Sequence, residues 1–149
     1  MIGILVVSHE PLGTALLHCT RHIFGRMPPQ LAALDVIPDE DPEQAHDAAR
    51  ELLKRINDGT GAIVLTDLFG ATPARIAARL AEPQRIAVIA GVNLPLLVKL
   101  AKVRGAEPLA EAVEHAESAG RKYIASASAI RAGTAPCMVN GAAVKELRR

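Results

Sequence analysis

Aromatic side chains are nearly missing: the 149 residues include two Phe, one Tyr and no Trp. A core without ring systems has to be filled by Ala, Val, Leu and Ile. Half of the residues are hydrophobic, enough for one domain-sized core. A charge excess of either sign is missing too. Lys and Arg number 17 against 16 Asp and Glu, and the signs are mixed along the chain. That excludes nucleic acid as the main partner, because phosphate backbones require a concentrated basic face. The one basic cluster, Lys145-Glu146-Leu147-Arg148-Arg149, reads as a solvated tail. No apolar run approaches the ~20 residues that cross a bilayer. The N-terminus shows neither the basic region nor the small-residue cleavage site of a signal peptide. A soluble cytoplasmic protein with no direct membrane insertion is therefore expected. Cys19 and Cys137 form no CxxC and read as free thiols. There is no GxxxxGK[ST] loop and no GxGxxG after the first apolar run, which removes P-loop and dinucleotide readings.

What is there alternates. Ile2–Val7 has the β-branching of a strand buried on both faces. Pro11 suits the first turn of a helix carrying Leu12, Leu16, Leu17, Ile23 and Phe24, which Gly25 and Pro28-Pro29 end. Leu31–Ile37 is a second strand. The acidic loop Pro38-Asp39-Glu40-Asp41-Pro42 leads into a helix over 43–56 with Ala45, Ala48, Ala49, Leu52, Leu53 and Ile56 as its buried stripe. Gly61–Thr66 is a third strand, followed by Asp67-Leu68-Phe69-Gly70-Ala71-Thr72-Pro73, with Thr72 as N-cap and Pro73 as first helical residue. Arg85–Ala90 is a fourth strand, and helices follow over Leu96–Val103 and Leu109–Ala119. Tyr123–Ile130 and Ala135–Val139 are weaker strand candidates. The pattern predicts a three-layer, doubly wound α/β fold with a mainly parallel sheet of order 2-1-3-4 and right-handed crossovers. Residues 1–130 form the expected domain, and 131–149 a C-terminal extension.

Ligands of such sheets bind beyond the carboxyl ends of the strands, where strand order reverses. His9 stands just past strand 1 and Asp67 just past strand 3, so the order 2-1-3-4 makes them neighbours. An imidazole is a nucleophile near neutral pH. A carboxylate on one ring nitrogen fixes the tautomer and frees the other nitrogen. The amides of Gly70, Ala71 and Thr72, with the Thr72 hydroxyl, are candidate donors to a phosphoryl group. Each also has a plainer reading: His9 as a solvent-facing strand end, Asp67 as a turn cap, Gly70 as backbone geometry. His18 and His22 lie one helical turn apart, but no third or fourth ligand stands at suitable spacing, so partly buried helix residues explain them better than a metal site. His46 and His115 sit in polar helical segments and carry no signal.

Three stretches, GILVVSHEPLG, VLTDLFGATPARIAARL and VIAGVNLPLLVKL, together resemble the mannose-type enzyme IIA domain of the bacterial phosphoenolpyruvate-dependent sugar phosphotransferase system. The resemblance runs in order from Met1 to about Ala119. It maps the phosphorylated histidine onto His9, the Asp–Gly–Gly–Ser/Thr–Pro motif onto Asp67, Gly70, Thr72 and Pro73, and the Gly-Val-Asn-x-Pro motif onto Gly91, Val92, Asn93 and Pro95. Ala71 replaces the second glycine, a departure that matters only if that position needs a positive φ. The resemblance implies a protein-histidine phosphotransferase: HPr as donor to His9, a histidine of enzyme IIB as acceptor, no cofactor and no metal. It also implies a homodimer exchanging an antiparallel edge strand, for which Tyr123–Ile130 is the expected segment. Too little chain follows residue 130 for a IIB domain, so the acceptor is expected on another chain, in sugar uptake or in regulation. The related subunit of the dihydroxyacetone kinase system fits the Asp67–Pro73 motif less well. The alternative is a non-enzymatic regulatory module on the same fold that binds an anion or a protein at the rim.

Overall fold

The computed structural model describes residues 1–126 together with Ser128, Ala132 and Gly133. Four parallel strands, β1 (Gly3–His9), β2 (Leu31–Val36), β3 (Ala62–Thr66) and β4 (Ile86–Ala90), form one sheet in the order β2-β1-β3-β4. Five helices cover it: α1 (Leu12–Phe24), α2 (Pro42–Ile56), α3 (Thr72–Ala78), α4 (Leu94–Val103) and α5 (Leu109–Lys122). The expected order and layers are those observed.

Period-two alternation along β1 sorts its side chains into two cores. Leu5 and Val7 join Ala45, Ala49 and Leu53 of α2 and Ile76 and Ala77 of α3 on one face. Ile4 and Val6 join Leu16 of α1, Leu96, Leu97 and Leu100 of α4 and Ala112 and Ala116 of α5 on the other. Every one of these side chains is aliphatic, as the shortage of aromatics requires. The connections after β1 and β3 leave in opposite directions onto opposite faces, which opens a crevice between the carboxyl ends of the two strands.

Several boundaries differ from the sequence reading. Pro11 sits at the cap position before α1 rather than inside it. Ala71, not Thr72, precedes α3, so Thr72 is its first residue and Pro73 its second. Helix α5 runs on to Lys122, and Tyr123–Ser126 form no strand; residues 127, 129 and 130 of that expected strand, and all of 135–139, lie outside the described residues. In α2, Ala48 is exposed and His46 is buried in its place, because the packed stripe runs through 45, 46, 49, 53 and 56. His18, Cys19 and His22 are exposed rather than partly buried. Among the described residues no three His, Cys, Asp or Glu side chains are grouped to hold a metal ion, and no helix is long and apolar enough to cross a membrane.

The amino-terminal edge of the sheet is closed by Arg104. Its side chain is buried, 3% exposed, and its guanidinium donates to the carbonyls of Ile2 (3.3 Å), Gln30 (3.0 Å) and Pro29. A buried cation is tolerated there because it turns main-chain carbonyls at two strand entrances into partners.

Candidate functional site

At the carboxyl edge, the pairing of β1 with β3 sets Thr66 beside Val7. Asp67 therefore leaves β3 within reach of the last residue of β1. Its Oδ2 accepts the His9 backbone N–H at 2.9 Å and lies 2.7 Å from His9 Nδ1, while its Oδ1 accepts the Leu68 N–H at 2.8 Å. The main chain is clamped as well: the Gly91 N–H donates to the Asp67 carbonyl (2.7 Å) and the Val92 N–H to that of Thr66 (3.0 Å). Asn93 caps α4 by accepting the Leu96 N–H (3.0 Å) and donates to the Gly120 carbonyl (2.9 Å), which joins α4 to α5. Gly91 and Val92 thus brace the Asp67 turn.

The Asp67 side chain is 13% exposed and the His9 side chain 53%. Burial by itself would raise the Asp67 carboxyl. The hydrogen bonds from the His9 amide, the His9 ring and the Leu68 amide, with the attraction of the His9 charge, outweigh it and hold the group below the usual carboxylate range. Asp67 is therefore ionised near neutral pH and can only accept. The shared proton belongs to Nδ1 of His9, which leaves the lone pair of Nε2 as the one that can react.

The turn after Asp67 is shaped by Gly70, whose φ of 85° lies in the left-handed region. Ala71 has φ of −75°, so an alanine in place of the second glycine costs nothing. The Ala71 N–H donates to the Leu68 carbonyl at 3.1 Å, which removes it from the expected phosphoryl donors. Of the other expected donors, Thr72 lines the crevice with His9, whereas Gly70 lines a separate pocket with Thr66, Phe69 and Ala74. Helix α3 has seven residues, so its dipole adds little beyond these groups. Leu68 and Phe69, at the tip of the turn, are 66% and 88% exposed.

His9, Thr72 and Pro73 line a common crevice of about 470 Å³, completed by Glu10 and by the β2–α2 loop through Val36, Ile37, Pro38, Asp39, Glu40 and Pro42. Sequence reading had found the acidic loop without assigning it to the site. Because β2 lies beside β1, Asp39 and Glu40 line the crevice with His9 and Glu10, and among the described residues no Lys or Arg lines it.

Comparison with known proteins identifies the family. Residues 3–117 match the family model EIIA-man, described as "PTS system fructose IIA component". The chain is 32% identical over 105 residues to the fructose-specific EIIA component of the phosphotransferase system of Bacillus subtilis, covering 70% of this chain and 71% of that protein. It is 27% identical over 125 residues to the mannose-specific EIIAB component of Escherichia coli, covering 83% of this chain and 38% of that longer protein. Its fold resembles the crystal structure of phosphotransferase system component EIIA from Streptococcus agalactiae, with a TM-score of 0.76 at 23% identity over 86% of this chain and 98% of the other. The His9–Asp67 rim, the sheet order and the match over most of the chain lead to one conclusion: this protein belongs to the EIIA-man family of phosphotransferase-system components.

Proposed function

We propose that His9 accepts a phosphoryl group from HPr and passes it to a histidine of an enzyme IIB partner. Nε2 attacks phosphorus as the phosphorus–nitrogen bond of the donor breaks, and that bond's electron pair returns to the donor's ring. The proton stays on Nδ1 throughout, and the Asp67 carboxylate offsets the positive charge that the phosphorylated imidazole gains. The loose transition state of phosphoryl transfer asks for positioning and charge stabilisation, and the amide and hydroxyl of Thr72 supply donors.

The observation that carries the reading is the 2.7 Å contact between Nδ1 and an ionised, clamped carboxylate, on a ring that is half exposed at the molecular surface. The acidic lining of the crevice supports a phosphoprotein donor over a free anion. Glu10, Asp39 and Glu40 repel a small dianion that arrives alone. They attract a phosphorylated protein that surrounds its phosphoryl group with basic residues. Leu68 and Phe69, exposed on the turn after Asp67, offer such a partner apolar contact. β4 is an edge strand, and in this reading a second copy of the chain pairs there to give the homodimer.

Incubation with enzyme I, HPr and labelled phosphoenolpyruvate should label the protein with an acid-labile, base-stable phosphate. His9→Ala should abolish it. Equal labelling of the His9→Ala protein would falsify the assignment.

A further inference from the structure

A second concave region lies along the amino-terminal half of the molecule and shares no residue with the rim crevice. It is a groove of about 370 Å³ between α2 and the α3–β4 connection. Leu53, Leu80 and Ile86 form its floor, and all three are buried. One wall is the helical stripe His46, Arg50, Lys54 and Asn57; the other carries Arg79, Glu82 and Arg85. Positions 46, 50, 54 and 57 fall one turn apart, which aims them along one line of the helix.

The donors on these walls are largely unengaged. Arg79 is held by Glu43 through two bonds of 2.8 and 3.1 Å and serves as structure. Arg50 makes no ion pair among the described residues. Among the described residues Lys54 is paired with Glu51, an exposed neighbour on the same helix, at 2.7 Å, and exposed pairs of this kind are weak. Arg85 stands 3.9 Å from Glu82, beyond hydrogen-bond reach. Asn57 accepts the Gly59 and Gly61 amides through Oδ1, which leaves its NH2 as a donor. The His46 side chain is 5% exposed, its Nδ1 lies 3.8 Å from Asp47, and the ring borders a groove rimmed by Arg50, Lys54 and Arg85.

We propose that this groove binds a small phosphate ester, its phosphate held by Arg50, Lys54, Arg85 and His46 and its carbon skeleton laid on Leu53, Leu80 and Ile86. One Arg fork satisfies a carboxylate, whereas three cations lining one groove with two further donors match the charge and the three oxygens of a phosphate monoester. The volume is that of a small-molecule site. Glu82 stands among the cations and disfavours a large polyanion. The site is distinct from the His9 crevice, with which it shares no lining residue.

Phenyl phosphate and inorganic phosphate are the probes, titrated into the full chain by calorimetry and by following amide NMR shifts. Phenyl phosphate should bind more tightly than inorganic phosphate, with shifts confined to residues 46–57 and 79–86. Arg50→Ala and Arg85→Ala, both exposed positions, should each weaken binding about ten-fold or more. His46→Gln should weaken it too, and His9→Ala should leave it unchanged. The proposal is overturned if Arg50→Ala and Arg85→Ala bind as the parent does, if the two probes bind equally, or if the shifts gather around His9 and vanish in His9→Ala.

Discussion

Replacing Asp67 by asparagine keeps the side chain's shape and removes its charge, which isolates what the carboxylate does for His9. The carboxylate accepts three bonds: two at Oδ2 from His9, of 2.9 and 2.7 Å, and one at Oδ1 from Leu68, of 2.8 Å. Asparagine has one acceptor oxygen and one NH2. With the oxygen toward His9, the NH2 meets the Leu68 N–H, donor against donor. With the NH2 toward His9, it opposes the His9 amide and drives the ring proton from Nδ1 to Nε2, which blocks the nucleophile. Either placement loses at least one hydrogen bond to a charged acceptor, worth about 1.5–3 kcal/mol. If that loss falls on the transfer step, the rate drops roughly 10- to 150-fold. Rapid-quench transfer from phosphorylated HPr measures the rate, nitrogen NMR of His9 reports the tautomer, and a urea titration shows that the variant is folded. Asp67→Asn transferring within two-fold of the parent, with the proton still on Nδ1, would refute the role given to the carboxylate.

The same carboxyl makes stability depend on pH in one direction. Its folded pKa lies below its unfolded value, so the stabilisation is complete above the ordinary carboxylate range and is lost as pH falls through the folded pKa. The stability gap between the parent and Asp67→Asn in urea should therefore be constant from pH 7 to 5 and narrow below about 4; a gap that widens on acidification contradicts the assignment. Gly70→Ala should cost ~1–2 kcal/mol, because φ of 85° forces a Cβ into the left-handed region although the space around it is open; an unchanged urea midpoint would show that the turn relaxes. Arg104→Leu should cost about 3–5 kcal/mol by stranding the Ile2, Pro29 and Gln30 carbonyls, and a thermal midpoint near the parent's would mean that water replaces the guanidinium. Transfer from HPr should slow as salt rises, since the acidic crevice steers a basic partner; a rate independent of ionic strength would leave Glu10, Asp39 and Glu40 without that role.

The strands were legible because a sheet covered on both faces demands apolar runs rich in β-branched residues, and Ile2–Val7 and Gly61–Thr66 are such runs. From the order of the strands the meeting of His9 and Asp67 followed. What was not legible depends on packing between elements distant in sequence. His46 sits among Glu43, Gln44 and Asp47, and hydropathy reads it as surface. Only the docking of α2 on the sheet shows that 46 falls on the buried side. The acidic loop was visible as composition, but its place in the His9 crevice depends on β2 lying beside β1. Thr72 looked like a cap because threonine prefers that position, yet the positive φ of Gly70 and the bond from Ala71 to Leu68 start the helix one residue early. The brace formed by Gly91 and Val92 uses backbone amides, which no side-chain pattern announces.

Arg104 has a consequence for how the molecule comes into being. Its guanidinium reaches carbonyls 102, 74 and 75 positions earlier in the chain. Ile2 leaves the ribosome well before Arg104, and the entrance to the first strand stays unsealed until α4 has emerged. Contacts of such long sequence separation are late events. The nascent first half, with its nearly continuous aliphatic strand, has to be kept from sticking to its neighbours until residue 104 arrives.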